Sequence, residues 1–341
     1  MDIGLVASVN RIDELTDAII KSAYEKGVAV CVFAFPDIDY ETKTVKAKKW
    51  DGTQYVDIVT AVPPIVDSRQ PLGTHSKAMR FYAPQVEWLQ AHTRVLGTGG
   101  LAKKALSECL FASKYSAHGI MTFGVETYEQ VVTSVAIMQD CIIKPSGGRQ
   151  GRGVLSAKMD GAGRVIINDG ERIQPLTEAY WAQYIQKLTD EDLKMPIIQP
   201  RLNFKFEGKA MDFRLLTAKG RSGTWEIIKI YARVGSNEVT SNVSRGGYRD
   251  NLTVVLQKLC PEQAERLEKE LYELALGVPE VIEQNNSSAA NYFGIDVGID
   301  CDTMQTYVVE ANTFPQPGVS AKEIADKKTD YYLYLLEQAK K

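Results

Sequence analysis

Histidine is scarce in this 341-residue chain, with three in all, and none of them stands at metal-site or triad spacing from a partner. Cysteine is also sparse: Cys31, Cys109, Cys141, Cys260 and Cys301 are scattered, odd in number and free of CxxC pairs. That pattern argues against a disulfide framework and a zinc centre, and reads as small hydrophobes in a core. There is no excess of basic charge. Lysine and arginine total 40 against 43 acidic residues, a net charge of −3, so the electrostatic footprint of a non-specific nucleic-acid binder is missing. No hydrophobic run approaches a membrane span, and the opening MDIGLVASVNRIDEL has neither a charged leader nor a long apolar stretch. These absences lead us to expect a cytoplasmic protein with neither a membrane nor a nucleic-acid partner. What remains is ordinary globular composition in a length that suggests about two or three domains.

Taken in order, IGLVAS at 3–8, helical spacing from Ile12 to Lys26 stopped by Gly27, and the apolar run VAVCVFAF at 28–35 give β-α-β order. Shorter polar strands around Trp50-Asp51-Gly52 follow, and a small α/β domain to about residue 95 is expected. A glycine loop at 97–100 leads into a helical stretch from Leu101 to about Tyr115, with Lys103 and Lys104 near its start. Lysines on a helix are mostly solvated, so neither is functional on this ground alone. A second helical stretch covers Tyr128 to Met138, a hairpin turns at 160–163, and another helix starts near Glu178. The spacing predicts a long helix from Pro261 to Leu276, with Glu and Lys on its outer face.

Three segments carry chemistry. In CIIKPSGGRQGRGV at 141–154 an apolar strand delivers Lys144, and a loop with Ser146, Gly147, Gly148, Gly151 and Gly153 follows. Glycines admit close approach of backbone N–H groups to a polyanion and the lysine adds charge, although a flexible hairpin tip reads the same way. It is not a Walker A loop, because Val154 stands where that motif needs lysine. Further on, Arg214 and Arg233 lie on predicted strands, and such arginines need anions, either internal carboxylates or a ligand's phosphate. Finally, YFGIDVGIDCDTMQTYVVEAN at 292–312 reads as a hairpin about residue 303, placing Asp296 near Glu310, with Asn312 on the same face as Glu310. Two carboxylates and an amide suit Mg²⁺ shared with nucleotide phosphates; an ordinary solvated acidic face is the other reading.

The order of these blocks is more specific than any one of them. IKPSGGRQGRGV, MDFRLL, SNVSRGG and GIDVGID…VVEAN, over about residues 95–320, resemble the ATP-grasp carboxylate–amine ligases of the ribosomal-protein-S6 glutamate ligase type. The wording IYARVG and the doubled aspartates of GIDVGID are most similar to the YheC/YheD-like branch, first named for endospore coat-associated proteins. The resemblance implies an α/β class with an α+β lid, that is, an ATP-grasp fold behind an N-terminal pre-ATP-grasp α/β domain. The expected division is residues 1–95, then 96–198 with the lid, then 199–341 with the metal site.

It also implies roles. Lys144 and Lys104, or Lys103 in its place, would meet the phosphates of ATP under a flexible loop of Ser146, Gly147, Gly148, Gly151 and Gly153. Gln199, Pro200 and Leu202 would lie at the adenine hinge, where the family usually has a glutamate near Gln199 or Arg201. Asp296, Glu310 and Asn312 would hold Mg²⁺ or Mn²⁺, leaving Asp300 to the turn or to an outer contact. Arg214, Arg233 and Asn242 would surround the γ-phosphate and an acyl phosphate. The implied substrates are a carboxylate and an amine, such as amino acids or a peptide, and a homodimer is left open. A non-catalytic nucleotide-binding or structural protein, and a kinase-like transfer to a hydroxyl, share the same residues.

Overall fold

The computed structural model describes residues 1–69, 81–97, 99–146, 153–191, 196–236, 241, 246–285, 289–318 and 320–340. Its first sheet is built from β1 (Ile3–Val6), β2 (Val30–Phe33), β3 (Ile38–Asp39), β4 (Thr44–Trp50), β5 (Tyr55–Ala61), β6 (Ile65–Ser68) and β7 (Arg94–Leu96), in the order β3-β4-β2-β1-β6-β7 with β5 on β4. The apolar runs of β1 and β2 are buried at every position and pair in parallel, as strands covered on both faces do. Helix α1 (Glu14–Glu25) makes the crossover between them. Asp13 caps it by accepting from the backbone N–H of Thr16 at 2.8 Å, and Leu15, Ile19, Ile20 and Ala23 form its buried stripe. A second helix, α2 (Ala83–His92), precedes β7.

After α3 (Lys103–Phe111) comes an antiparallel sheet of β8 (Phe123–Gly124), β9 (Asp140–Pro145), β10 (Leu155–Met159), β11 (Val165–Asn168), β12 (Ile173–Leu176) and β13 (Pro196–Pro200), in the order β12-β11-β10-β9-β13-β8. Helices α4 (Tyr128–Met138) and α5 (Glu178–Glu191) bury Val131, Val135, Trp181 and Ile185 against Cys141, Ile143 and Ala157 of this sheet.

The third sheet comprises β14 (Lys205–Phe206), β15 (Lys209–Lys219), β16 (Trp225–Val234), β17 (Tyr248–Asn251), β18 (Tyr292–Ile299) and β19 (Thr306–Asn312), ordered β17-β16-β15-β18-β19 with β14 on β15. One face meets α6 (Leu252–Leu259) and α7 (Ala264–Asn285) through Phe213, Leu215, Phe293, Ile295 and Val297. The other face puts Leu216, Ala218 and Tyr292 against α8 (Ala321–Gln338) and residues of the first sheet and α1. Sheets and helices are thus clamped around one seam. Lys328 of α8 pairs with the fully buried Asp67 at 2.8 Å, and Asn291 and Tyr332 add hydrogen bonds to the same carboxylate.

Helix α7 corrects the expected stop at Leu276. It runs on to Asn285 with Pro279 inside, and Gly277 there is a packing residue rather than a terminator, since any Cβ would collide with the Tyr115 ring. All five cysteines are free, with Cys31 and Cys141 buried and the other three half-buried. Among the described residues, no helix is long and apolar enough to cross a membrane.

Candidate nucleotide and metal site

The β18–β19 hairpin forms as its alternation predicts, with Asp296 directly opposite Glu310 and Gly294 opposite Asn312. Asp300 fixes the turn by accepting from the backbone N–H groups of Asp302 (2.9 Å) and Thr303 (3.1 Å), while its other oxygen accepts from Asn203 (3.0 Å). A register shift between Asp296 and Val297 separates this turn from the Asp296–Glu310 pair.

Strand β15 brings Arg214 against Asp296, and β16 brings Arg233 against Asp212. Arg214 donates from Nε (2.5 Å) and Nη2 (3.1 Å) to the two oxygens of Asp296. Arg233 donates twice to Asp212 at 2.6 Å and reaches Asp296 at 2.9 Å; Ser241 also donates to Asp212. Two guanidiniums and two carboxylates therefore balance one another inside the sheet. Burial pushes the Asp296 carboxyl up to about 6, with Arg214 and Arg233 limiting the rise. Burial also opposes ionisation of Glu310, but Lys103 at 3.0 Å and the Asn312 amide at 2.8 Å more than offset it and hold that carboxyl well below its ordinary range.

Lys144 completes the cluster from β9. It is 8% exposed, and among the described residues it has no carboxylate within ion-pair distance. Burial lowers its ammonium to about 8, helped by repulsion from Lys103 and resisted by Glu310 and Asp296. A buried cation without a close counter-ion is where an anionic ligand gains most.

The two neighbouring lysines diverge. Lys103 joins Glu310, whereas Lys104 lies beside Gly124 of β8 and is 3.9 Å from Glu108 on the half-exposed helix surface. Gln199 is buried and donates to Thr122 Oγ1 at 2.7 Å; Pro200 ends β13, and the backbone N–H of Arg201 donates to Asp140 at 3.1 Å just before Leu202. Ser146 follows β9 and Gly153 precedes β10, while Gly147, Gly148, Gly151 and Asn242 lie outside the described residues. Asp212 was not singled out from sequence, although its position two residues before Arg214 on one strand was a usable signal.

Among the described residues there is no group of three or more His, Cys, Asp or Glu able to hold a metal. Two carboxylates and one amide oxygen fall short of the about six oxygens that Mg²⁺ requires, which fits a cation completed by phosphates and water.

An antiparallel sheet lays a buried lysine beside the paired carboxylates of a second antiparallel sheet, and solved structures of ATP-grasp proteins share this fold. A RimK-domain ATP-grasp protein from Sphaerobacter thermophilus matches with TM-score 0.52 at 12% identity, covering 97% of this chain and 99% of that one. The D-cycloserine synthetase DcsG matches with TM-score 0.55 at 13% identity, covering 97% and 100%. More narrowly, residues 92–341 match the YheC/D-like ATP-grasp family, and the chain belongs to it. The endospore coat-associated protein YheD of Bacillus subtilis (strain 168) is 22% identical over 355 residues, spanning 93% of this chain and 73% of the relative.

Proposed function

We propose that this protein is an ATP-dependent carboxylate–amine ligase that works through an acyl phosphate on amino-acid or peptide substrates. The observation that carries the reading is Lys144, a buried ammonium with no carboxylate within ion-pair distance among the described residues, beside the Asp296–Glu310 pair. In this reading Lys144 and Lys104 hold phosphates beneath the 146–153 loop, and the backbone at Gln199 to Leu202 meets adenine. Asp296, Glu310 and Asn312 would hold Mg²⁺, which would neutralise charge on the phosphates. Arg214, Arg233 and Asn242 face the phosphoryl group as the substrate carboxylate attacks the γ-phosphorus and ADP leaves. The same cations then stabilise the tetrahedral centre formed when the amine attacks the acyl phosphate.

ADP release across a screen of amino acids and short peptides, followed by product mass, tests the reading. The expected product is the sum of both substrates less one water. A phosphorylated product would instead mark a kinase-like transfer. The second reading, a structural protein that kept the fold, is favoured by the coat-associated names of its relatives. Calorimetry showing no binding of Mg·ATP would leave only that one.

The Lys103–Glu310 pair gives a separate expectation. Lys103 occupies the negative field that a divalent ion would use, so Lys103→Met should raise Mn²⁺ affinity of the nucleotide-free protein about tenfold. Electron paramagnetic resonance of Mn²⁺ reads this directly, and an unchanged affinity would mean that Lys103 does not compete with the metal.

A further inference from the structure

Along the seam between the first and third sheets stand cationic and hydroxyl groups that the nucleotide reading leaves unused. Arg69 directly follows β6, at the carboxyl end of the parallel strands, where open α/β sheets receive ligands. Its backbone N–H donates to Val6 at 3.0 Å, which fixes the position. Among the described residues its guanidinium makes one long hydrogen bond, Nε to Thr16 Oγ1 at 3.4 Å, and no carboxylate lies within ion-pair distance, Asp67 attracting it from farther off.

Asp67, two residues before Arg69, accepts from Asn291 at 3.2 Å, so the end of β6 lies against the start of β18. There the Tyr292 hydroxyl is buried, 2% of the residue being exposed, and has no hydrogen-bond partner among the described residues. Tyr292, Gly294 and Asp296 alternate onto one face of β18. Gly294 is required by close approach, because a Cβ there would stand 2.6 Å from Pro315 and 3.1 Å from Nη1 of Arg214. Arg214 uses Nε and Nη2 on Asp296, so its Nη1 edge looks along the strand toward Tyr292. A hydroxyl, a guanidinium edge and the carboxylate pair therefore succeed one another over about 13 Å of strand, with Arg69 at the far end.

We propose that Arg69, Tyr292 and the Nη1 edge of Arg214 form a subsite for a free carboxylate of the substrate, remote from the carboxyl that is activated. Planar guanidinium donors and a phenol match a carboxylate's two oxygens, and such a ligand adds a close counter-ion for Arg69, which Asp67 attracts only at longer range, and a hydrogen bond for the Tyr292 hydroxyl. The subsite selects short α-amino acids or dicarboxylates over neutral amides. It rests on the ligase reading, because the activated carboxyl must lie beside Asp296 and Glu310.

The test titrates the Mg·ADP-saturated protein by calorimetry with the proteinogenic L-amino acids and with succinate, glutarate and adipate, and with the amides of whichever acid binds. The acid is expected to bind and its amide to bind at least about tenfold more weakly. Arg69→Gln and Tyr292→Phe should each weaken the acid by about tenfold with ADP affinity unchanged. Arg69→Lys, which keeps the charge but loses the fork, should fall between. Equal binding of acid and amide, unchanged affinity in Arg69→Gln, or an absence of any carboxylate ligand while ADP binds, would overturn the subsite and leave the nucleotide reading standing. Loss of ADP binding in the unmodified protein would remove the ligase reading and the subsite together.

Discussion

Glu310→Ala is expected to lower ATP-dependent turnover roughly a thousandfold, with little change in thermal stability. Glu310 lies directly across the strand pair from Asp296, and Asn312 donates to it from the same face. Its removal takes one of two carboxylates from the cation position and leaves Lys103 with no anion at 3.0 Å, so the site becomes more positive where a divalent ion must enter. Asp296 alone cannot make up the loss, because its two oxygens are shared with Arg214 and Arg233. The loss should appear mainly in kcat, since phosphate contacts through Lys144 survive and charge neutralisation matters most as the phosphoryl group moves. Glu310→Gln retains shape and the hydrogen bond from Asn312 and should be nearly as inactive. Steady-state ADP release measures both. Turnover within about fivefold of the parent would show that Glu310 is not a ligand for the metal.

Lys144→Met should cost about a hundredfold in ATP affinity, because the variant presents an apolar wall where a phosphate would receive charge-assisted hydrogen bonds. The lysine also gives binding a pH signature. In the free protein its ammonium titrates near about 8, held down first by burial and then by Lys103. A bound phosphate raises that value, so affinity is full below pH 8 and declines as pH rises, by up to about tenfold per unit until the bound form also loses its proton. Above pH 8 binding should take up a proton, which calorimetry in buffers of different ionisation enthalpy detects. Lys144→Arg, whose guanidinium stays charged, should abolish the decline even where it weakens binding. A pH-independent affinity in the parent protein would place the phosphates elsewhere.

Much of the architecture was readable because it follows from short-range rules. The Ile295, Val297, Ile299 alternation and the Asp300 turn specify the hairpin, and its register places Asp296 opposite Glu310 without any tertiary knowledge. Helix α1 and strand β2 announce themselves in the same way through spacing and an unbroken apolar run. The choice between Lys103 and Lys104 was not readable. Adjacent residues on a helix differ by about 100° in direction, and only the positions of β19 and β8 reveal which side faces Glu310. Helix α7 runs past Leu276 through Gly277 and Pro279, residues that usually end helices, and the tight contact of Gly277 with Tyr115 is not visible to local rules. The Arg69–Tyr292 seam joins residues far apart in sequence, and no local window contains both.

The ion pair of Asp67 with Lys328 sets a timetable for synthesis. A ribosome releases β1, β2 and β6 long before α8, yet α8 covers α1 and supplies the only ammonium within ion-pair distance of Asp67 among the described residues. Until then the nascent first sheet carries an apolar flank and a carboxylate destined for a fully dry position, with only the more distant Arg69 to offset its charge. Burial of Asp67 therefore waits on a long-range contact, and the interval before that contact forms is when this flank is most exposed to chaperones and to aggregation.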